Sequence, residues 1–161
     1  MNNQLSFIEK QFPVSKVSKE SYKERKAGNQ QTLVSFGKWW GRKPLVLVRA
    51  VILGCLLPST ANHRKDMEIF LKLMSMDNEG LILRKTKNIP ISKQYEIISK
   101  NARLNFKYKK FFKVNDKGRV SLEKESPKTE IEIAVFNTFG YDEKLEYCVR
   151  PEHLKNISEN A

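Results

Sequence analysis

Apolar positions first gather at Phe7-Ile8 and Phe12-Pro13-Val14, ahead of a charged stretch from Ser15 to Ala27. That stretch reads as a helix capped by Ser15 or Ser18 and ending at Gly28, with Asn29-Gln30-Gln31 as a polar linker. From Pro44 to Leu57 almost every position is apolar. Leu45, Val48, Ile52, Cys55 and Leu56 follow helical spacing, and Val46, Leu47, Val51 and Leu53 fill much of the rest. Pro44 suits the first turn of this helix, where its missing N–H costs nothing, and Pro58 ends it. A helix apolar nearly all round is predicted to be buried on more than one side, with Arg49 directed where a charge is tolerated. Residues 63–76 predict a second helix with Met67, Phe70, Leu71 and Met74 on its apolar face. Ile89-Pro90 breaks the chain, and a third helix is predicted from Ser92 to Ala102 with Tyr95, Ile98 and Ala102 inward.

The pattern then alternates. Phe106, Tyr108, Phe111-Phe112 and Val114 precede Asn115-Asp116-Lys117-Gly118, and Val120 and Leu122 follow, which predicts strand, turn and strand. Beyond a polar linker, Thr129 and Glu132 have capping-box spacing for a helix from Glu130 to Phe139. A further turn or two covers Asp142 to Cys148, and Pro151 opens a short terminal helix. The expected fold class is α+β, a mainly helical domain with one β-hairpin. We read the 161 residues as one domain. Within it lie a tryptophan-motif region (1–60), a basic helix and hairpin insert (61–127) and a C-terminal helical segment (128–161).

Charge narrows the partners. The net charge is +12, and residues 1–127 hold 26 of the 30 Lys and Arg against 11 of the 18 Asp and Glu. A balance of this kind favours a polyanion: DNA, RNA or the phosphates of a cofactor. No apolar run is long enough to span a bilayer, and no secretory signal pattern opens the chain, so the expected location is the cytoplasm, without a membrane partner. Two cysteines, Cys55 and Cys148, make no disulfide framework, and Cys55 reads as a small hydrophobe. Together with His63 and His153 they have no paired zinc-ligand spacing, so no metal is predicted. No nucleophile motif or Gly-rich phosphate loop is present, so no catalytic residue is assigned.

Two stretches are candidate sites. Lys38-Trp39-Trp40-Gly41-Arg42-Lys43-Pro44 sets both tryptophans of the chain among basic residues. Planar rings there can stack on a base or an adenine, and the cations can hold phosphate or carboxylate. The alternative is that the tryptophans only pack. From Arg103 to Arg119, seven basic residues face Asp116 alone, with Phe106, Tyr108, Phe111 and Phe112 interleaved. On a hairpin the aromatics would pack inward, while Lys107, Lys109, Lys110 and Lys113 would project outward to a phosphate backbone or merely to solvent.

The run from Thr32-Leu33 through Lys38-Trp39-Trp40-Gly41-Arg42-Lys43-Pro44-Leu45 to Arg49-Ala50 and Leu57-Pro58 resembles the opening signature of large prokaryotic adenine-specific DNA methyltransferases. In these proteins a domain of unknown function precedes the methylase core, and some resemble anti-phage defence components. The resemblance extends upstream to Ile8-Glu9 and Phe12-Pro13-Val14, and downstream to Phe136, Tyr141 to Cys148 and Arg150-Pro151-Glu152. It implies a methyltransferase catalytic domain or subunit, and DNA, as partners, and S-adenosylmethionine as the complete enzyme's cofactor. Trp39, Trp40, Arg42, Lys43 and Pro44 would then be cofactor-binding or interface residues, and the helix after Pro44 would pack on the catalytic sheet. The chain departs from the family in having no Pro-Pro pair for a target-amine loop and no Gly-rich cofactor turn. Alone it is therefore predicted to bind no cofactor and transfer no methyl group. The expected function is a non-catalytic N-terminal region or subunit of such an enzyme. The alternatives are a free-standing basic nucleic-acid-binding module and a structural interaction domain of a defence complex.

Overall fold

The computed structural model describes residues 5–26 and 44–151, with the backbone alone at 25 and 26. The described residues are mainly helical, with one two-stranded antiparallel hairpin, as the α+β expectation held. They fall into two compact units. One runs up to Arg84 and resumes at Val149; the other is Lys85–Cys148.

The first unit contains α1 (Phe7–Lys10), α2 (Val14–Lys26), α3 (Leu45–Leu56), α4 (His63–Leu73) and α5 (Asn78–Leu83). The short α1 is held by its cap: the Glu9 carboxylate accepts from the Ser6 N–H at 2.7 Å and the Ser6 hydroxyl at 2.6 Å. Backbone bonds from Phe7 N–H to Leu57 O (2.8 Å) and from Ser59 N–H to Leu5 O (2.9 Å) tie the segment to the end of α3. The core forms around Phe70, with Phe7 stacked on it at 4.7 Å and Phe12 edge-on at 5.7 Å. Val17, Val46, Ala50, Met74 and Met76 complete it.

A buried ion pair fastens the far end of this unit. Arg84 and Glu20 are 0% and 1% exposed. The guanidinium donates to both Glu20 carboxylate oxygens, at 2.7 and 2.8 Å, to Ser75 O at 2.9 Å and to Val149 O at 2.9 Å. Ser75 sits just past α4 in the left-handed region (φ 53°), which turns its carbonyl into reach. The chain leaves this unit at Arg84 and returns at Val149, and these two residues are themselves bonded, Val149 N–H to Arg84 O at 2.8 Å.

The second unit contains α6 (Ile91–Lys100), α7 (Ala102–Tyr108), a 3-10 turn (Lys109–Phe111), β1 (Phe112–Val114), β2 (Val120–Leu122), α8 (Lys128–Thr138) and α9 (Tyr141–Tyr147). Helix α6 packs on α7, α8 and β2. Its core is Ile89, Ile98, Tyr108, Phe112, Ile131, Val135, Phe136, Phe139 and Tyr147. The hairpin pairs Phe112 with Leu122 and Val114 with Val120 across a turn that needs Gly118 at φ 72°. Its first strand is much shorter than expected, because Asn101 caps a helix over 102–108 by accepting from the Leu104 N–H at 3.2 Å. The expected Thr129–Glu132 capping box is absent. The Glu132 carboxylate instead accepts from the Ile89 N–H at 2.6 Å and pairs with Lys85 at 2.7 Å. Ile98 is buried as expected, but Ala102 is exposed, since it opens α7 rather than closing α6.

Candidate functional site

Helix α3 presents the first candidate surface. Pro44 is buried at its N-cap position, one residue ahead of the first turn. The first free N–H groups of the helix, those of Leu45 and Val46, donate to the two oxygens of Glu24 on α2 at 2.8 and 3.2 Å. A carboxylate there satisfies orphan donors and complements the positive end of the helix dipole. The inner face is Val46, Ala50 and Gly54, spaced by four. Helix α3 approaches the N-terminal segment so closely that a Cβ on Gly54 would meet the Ile8 Cβ at 3.2 Å and the Phe12 ring at 3.3 Å.

The outer face corrects the sequence expectation. The helix is not buried on more than one side: Leu45, Val48, Ile52 and Leu56, spaced by three or four, are all exposed, Ile52 to 55% and Leu56 to 76%. Cys55 is exposed too, whereas Cys148 is buried. Exposed Ile69 and Leu73 on α4 add to the apolar area. A shallow hollow of about 270 Å³ lies between α3 and the end of α4, walled by Ile52, Leu53, Leu56, Leu73 and Met74, with Arg49 contributing the charge. A contiguous apolar face of this kind, rimmed by polar groups, is typical of an interaction surface. Trp39, Trp40, Arg42 and Lys43 lie outside the described residues.

The second candidate surface is on the other unit, and its geometry differs from the predicted ribbon. Of the four lysines assigned to a hairpin, Lys113 alone is on a strand. Lys107 is on α7, and Lys109 and Lys110 are in the 3-10 turn. Lys107 pairs with Glu130 at 2.8 Å, and the Tyr108 hydroxyl donates to the same carboxylate oxygen at 2.8 Å. The hydrogen bond to Glu130 raises the lysine pKa, and the bonds from Lys107 and Tyr108 lower that of the glutamate. Lys113 pairs with Glu123 at 3.1 Å. Both pairs are exposed, so they are weak and screened by salt, and a phosphate can compete for either lysine. Arg103, Lys109 and Lys110 are exposed and pair with no carboxylate among the described residues.

Phe106 was expected to pack inward and does the opposite, being 93% exposed. On a helix, Leu104 and Tyr108, four apart, take the inner side and turn Phe106 out. Beside Arg103, a cleft of about 400 Å³ runs between α7 and α8, with Asn101, Lys107, Asn137 and Thr138 among its walls. Sequence reading missed Glu24 and turned Phe106 inward. The signal for Phe106 was Asn101, a helix cap placed just ahead of the supposed strand. Among the described residues, no three His, Cys, Asp or Glu side chains gather as metal ligands, and no helix is long and apolar enough to cross a membrane.

Residues 11–73 match a family model described as a protein of unknown function (DUF1156). The matched segment contains the tryptophan run and all of α2, α3 and α4. It does not reach the block from Phe136 to Glu152 that the sequence resemblance included. No curated protein and no solved structure matches the chain.

Proposed function

We propose that this chain is a non-catalytic docking region or subunit of a DNA adenine methyltransferase, in the setting of phage defence. In this reading the outer face of α3 packs on the catalytic, cofactor-holding part, and the basic unit assists in holding DNA. The observation that carries it is the exposed apolar face Leu45, Val48, Ile52 and Leu56, on the helix that follows the Trp39-Trp40-Gly41-Arg42-Lys43-Pro44 run in the sequence. Glu24 and the buried inner face hold the α3 backbone in place, so no backbone ordering is needed on contact, which favours association. Trp39, Trp40 and Arg42 are of the residue types that dominate interface energetics. S-adenosylmethionine would belong to the assembled enzyme.

The test is co-expression of the full chain with a catalytic region, from the same or an adjacent reading frame, that carries the Asp/Asn-Pro-Pro-aromatic motif. Ile52→Asp, Trp40→Ala and Arg42→Ala should each reduce co-purification about tenfold or more, a loss of roughly 1.4 kcal/mol, while the melting curve of the chain stays put. Undiminished capture by Ile52→Asp would refute the docking face. A large fall in melting temperature for Trp40→Ala with capture intact would make that tryptophan core.

A further inference from the structure

We infer that the outer side of α7 is a stacking platform for an unpaired nucleotide base, with Phe106 as the platform and Arg103, Lys109 and Lys110 as its phosphate contacts. This deepens the nucleic-acid part of the proposed function, and rests on it, by naming the substrate class as single-stranded rather than duplex.

Isolated exposed apolar residues are common on protein surfaces. Phe106 is distinguished by three circumstances that coincide. Its ring is almost wholly in solvent, at 93% exposure, on a helix whose inner face is already supplied by Leu104 and Tyr108. It lies three residues after Arg103 on the same helix, the spacing that makes side chains neighbours on a helical surface, and Lys109 and Lys110 follow in the 3-10 turn that continues directly from α7. Those three cations are exposed and bound to no carboxylate among the described residues, although Lys110 extends over the Phe111 ring at 5.1 Å. An aromatic face set among uncommitted cations is the arrangement by which proteins hold single strands, the ring taking a base and the cations its phosphates. Duplex DNA offers phosphates but keeps its base faces inside the stack, so a ring in this position gains nothing from it. On the other side of Arg103 a cleft of about 400 Å³, with Leu104 and Ala134 as well as Asn101, Asn137 and Thr138 in its walls, has room for a neighbouring nucleotide.

The experiment is fluorescence anisotropy on the full chain, with a labelled oligothymidine and a mixed-sequence duplex of equal length, across a salt series. The chain should bind the single strand more tightly. Phe106→Ala should weaken that binding about five- to hundredfold, with the duplex affinity and both salt slopes unchanged, and Phe106→Trp should restore it. Because the ring is in solvent, the melting curve of Phe106→Ala should match that of the parent. Replacing Arg103, Lys109 and Lys110 with Ala should flatten the single-strand slope by about 0.7 for each phosphate no longer neutralised. Equal binding of both substrates, unmoved by Phe106→Ala, would overturn the platform and leave the nucleic-acid reading standing. Binding to neither substrate would overturn both and leave Phe106 as a protein contact.

Discussion

Replacing Glu20 with Ala should unfasten the first unit. The substitution leaves the Arg84 guanidinium fully buried while removing the acceptors of its two shortest hydrogen bonds, at 2.7 and 2.8 Å. Ser75 O and Val149 O remain, but neither carries the compensating charge. Removing one member of a buried pair costs about 3–5 kcal/mol, because the other charge is stranded. The low end holds if water enters the space left by Glu20. Urea unfolding followed by circular dichroism measures the loss. For a unit of this size the same penalty lowers the melting midpoint by roughly 10 °C or more. A double-mutant cycle of Glu20→Met, Arg84→Met and Glu20→Met/Arg84→Met accompanies it, and the double variant should be far less damaging than its two single changes added together. A Glu20→Ala variant losing less than about 1 kcal/mol, or a strictly additive cycle, would refute the claim that this pair fastens the fold.

Two further predictions test the local structure. Gly80→Ala should cost about 1–3 kcal/mol in urea unfolding, since its Cβ would fall 2.7 Å from the Ser75 carbonyl carbon and 2.8 Å from the Asp77 carboxylate that caps α5; an unchanged midpoint would contradict that crowding. At Glu9, the hydrogen bonds from the Ser6 hydroxyl and N–H hold the carboxyl below its ordinary 4.5. The stability this contributes is present above that value and is lost as pH falls through the lowered folded-state pKa. Parent and Glu9→Gln should therefore differ in urea midpoint near neutral pH and converge in acid. A difference independent of pH would mean the carboxylate charge plays no part.

Where the chain carries its own punctuation, the elements were legible. Pro44 and Pro58 bound α3 to within a residue or two, and Asn115 to Gly118 placed the hairpin turn. The failures have physical causes. Phe106 and Tyr108, two apart, would share one face of a strand but stand on opposite sides of a helix, and the Asn101 cap decides between the two. Glu132 stands at capping-box distance from Thr129, yet a carboxylate takes the strongest available donors, and here those are the distant Ile89 N–H and Lys85. Which side of α3 would face solvent was unreadable, because apolar residues occur all round it and only the placement of α1 and α2 selects the inner side. The lysines were identified as a group, but their carboxylate partners, Glu130 and Glu123, come from the other side of the hairpin and could not be paired from spacing.

The hydrogen bond between Arg84 and Val149 has an evolutionary consequence. A fold whose chain departs and returns at bonded neighbours can acquire, lengthen or discard what lies between them without disturbing the rest. The match to residues 11–73 falls wholly within the part outside that loop of chain. Selection on whatever the basic unit touches can therefore proceed separately from selection on whatever α3 touches.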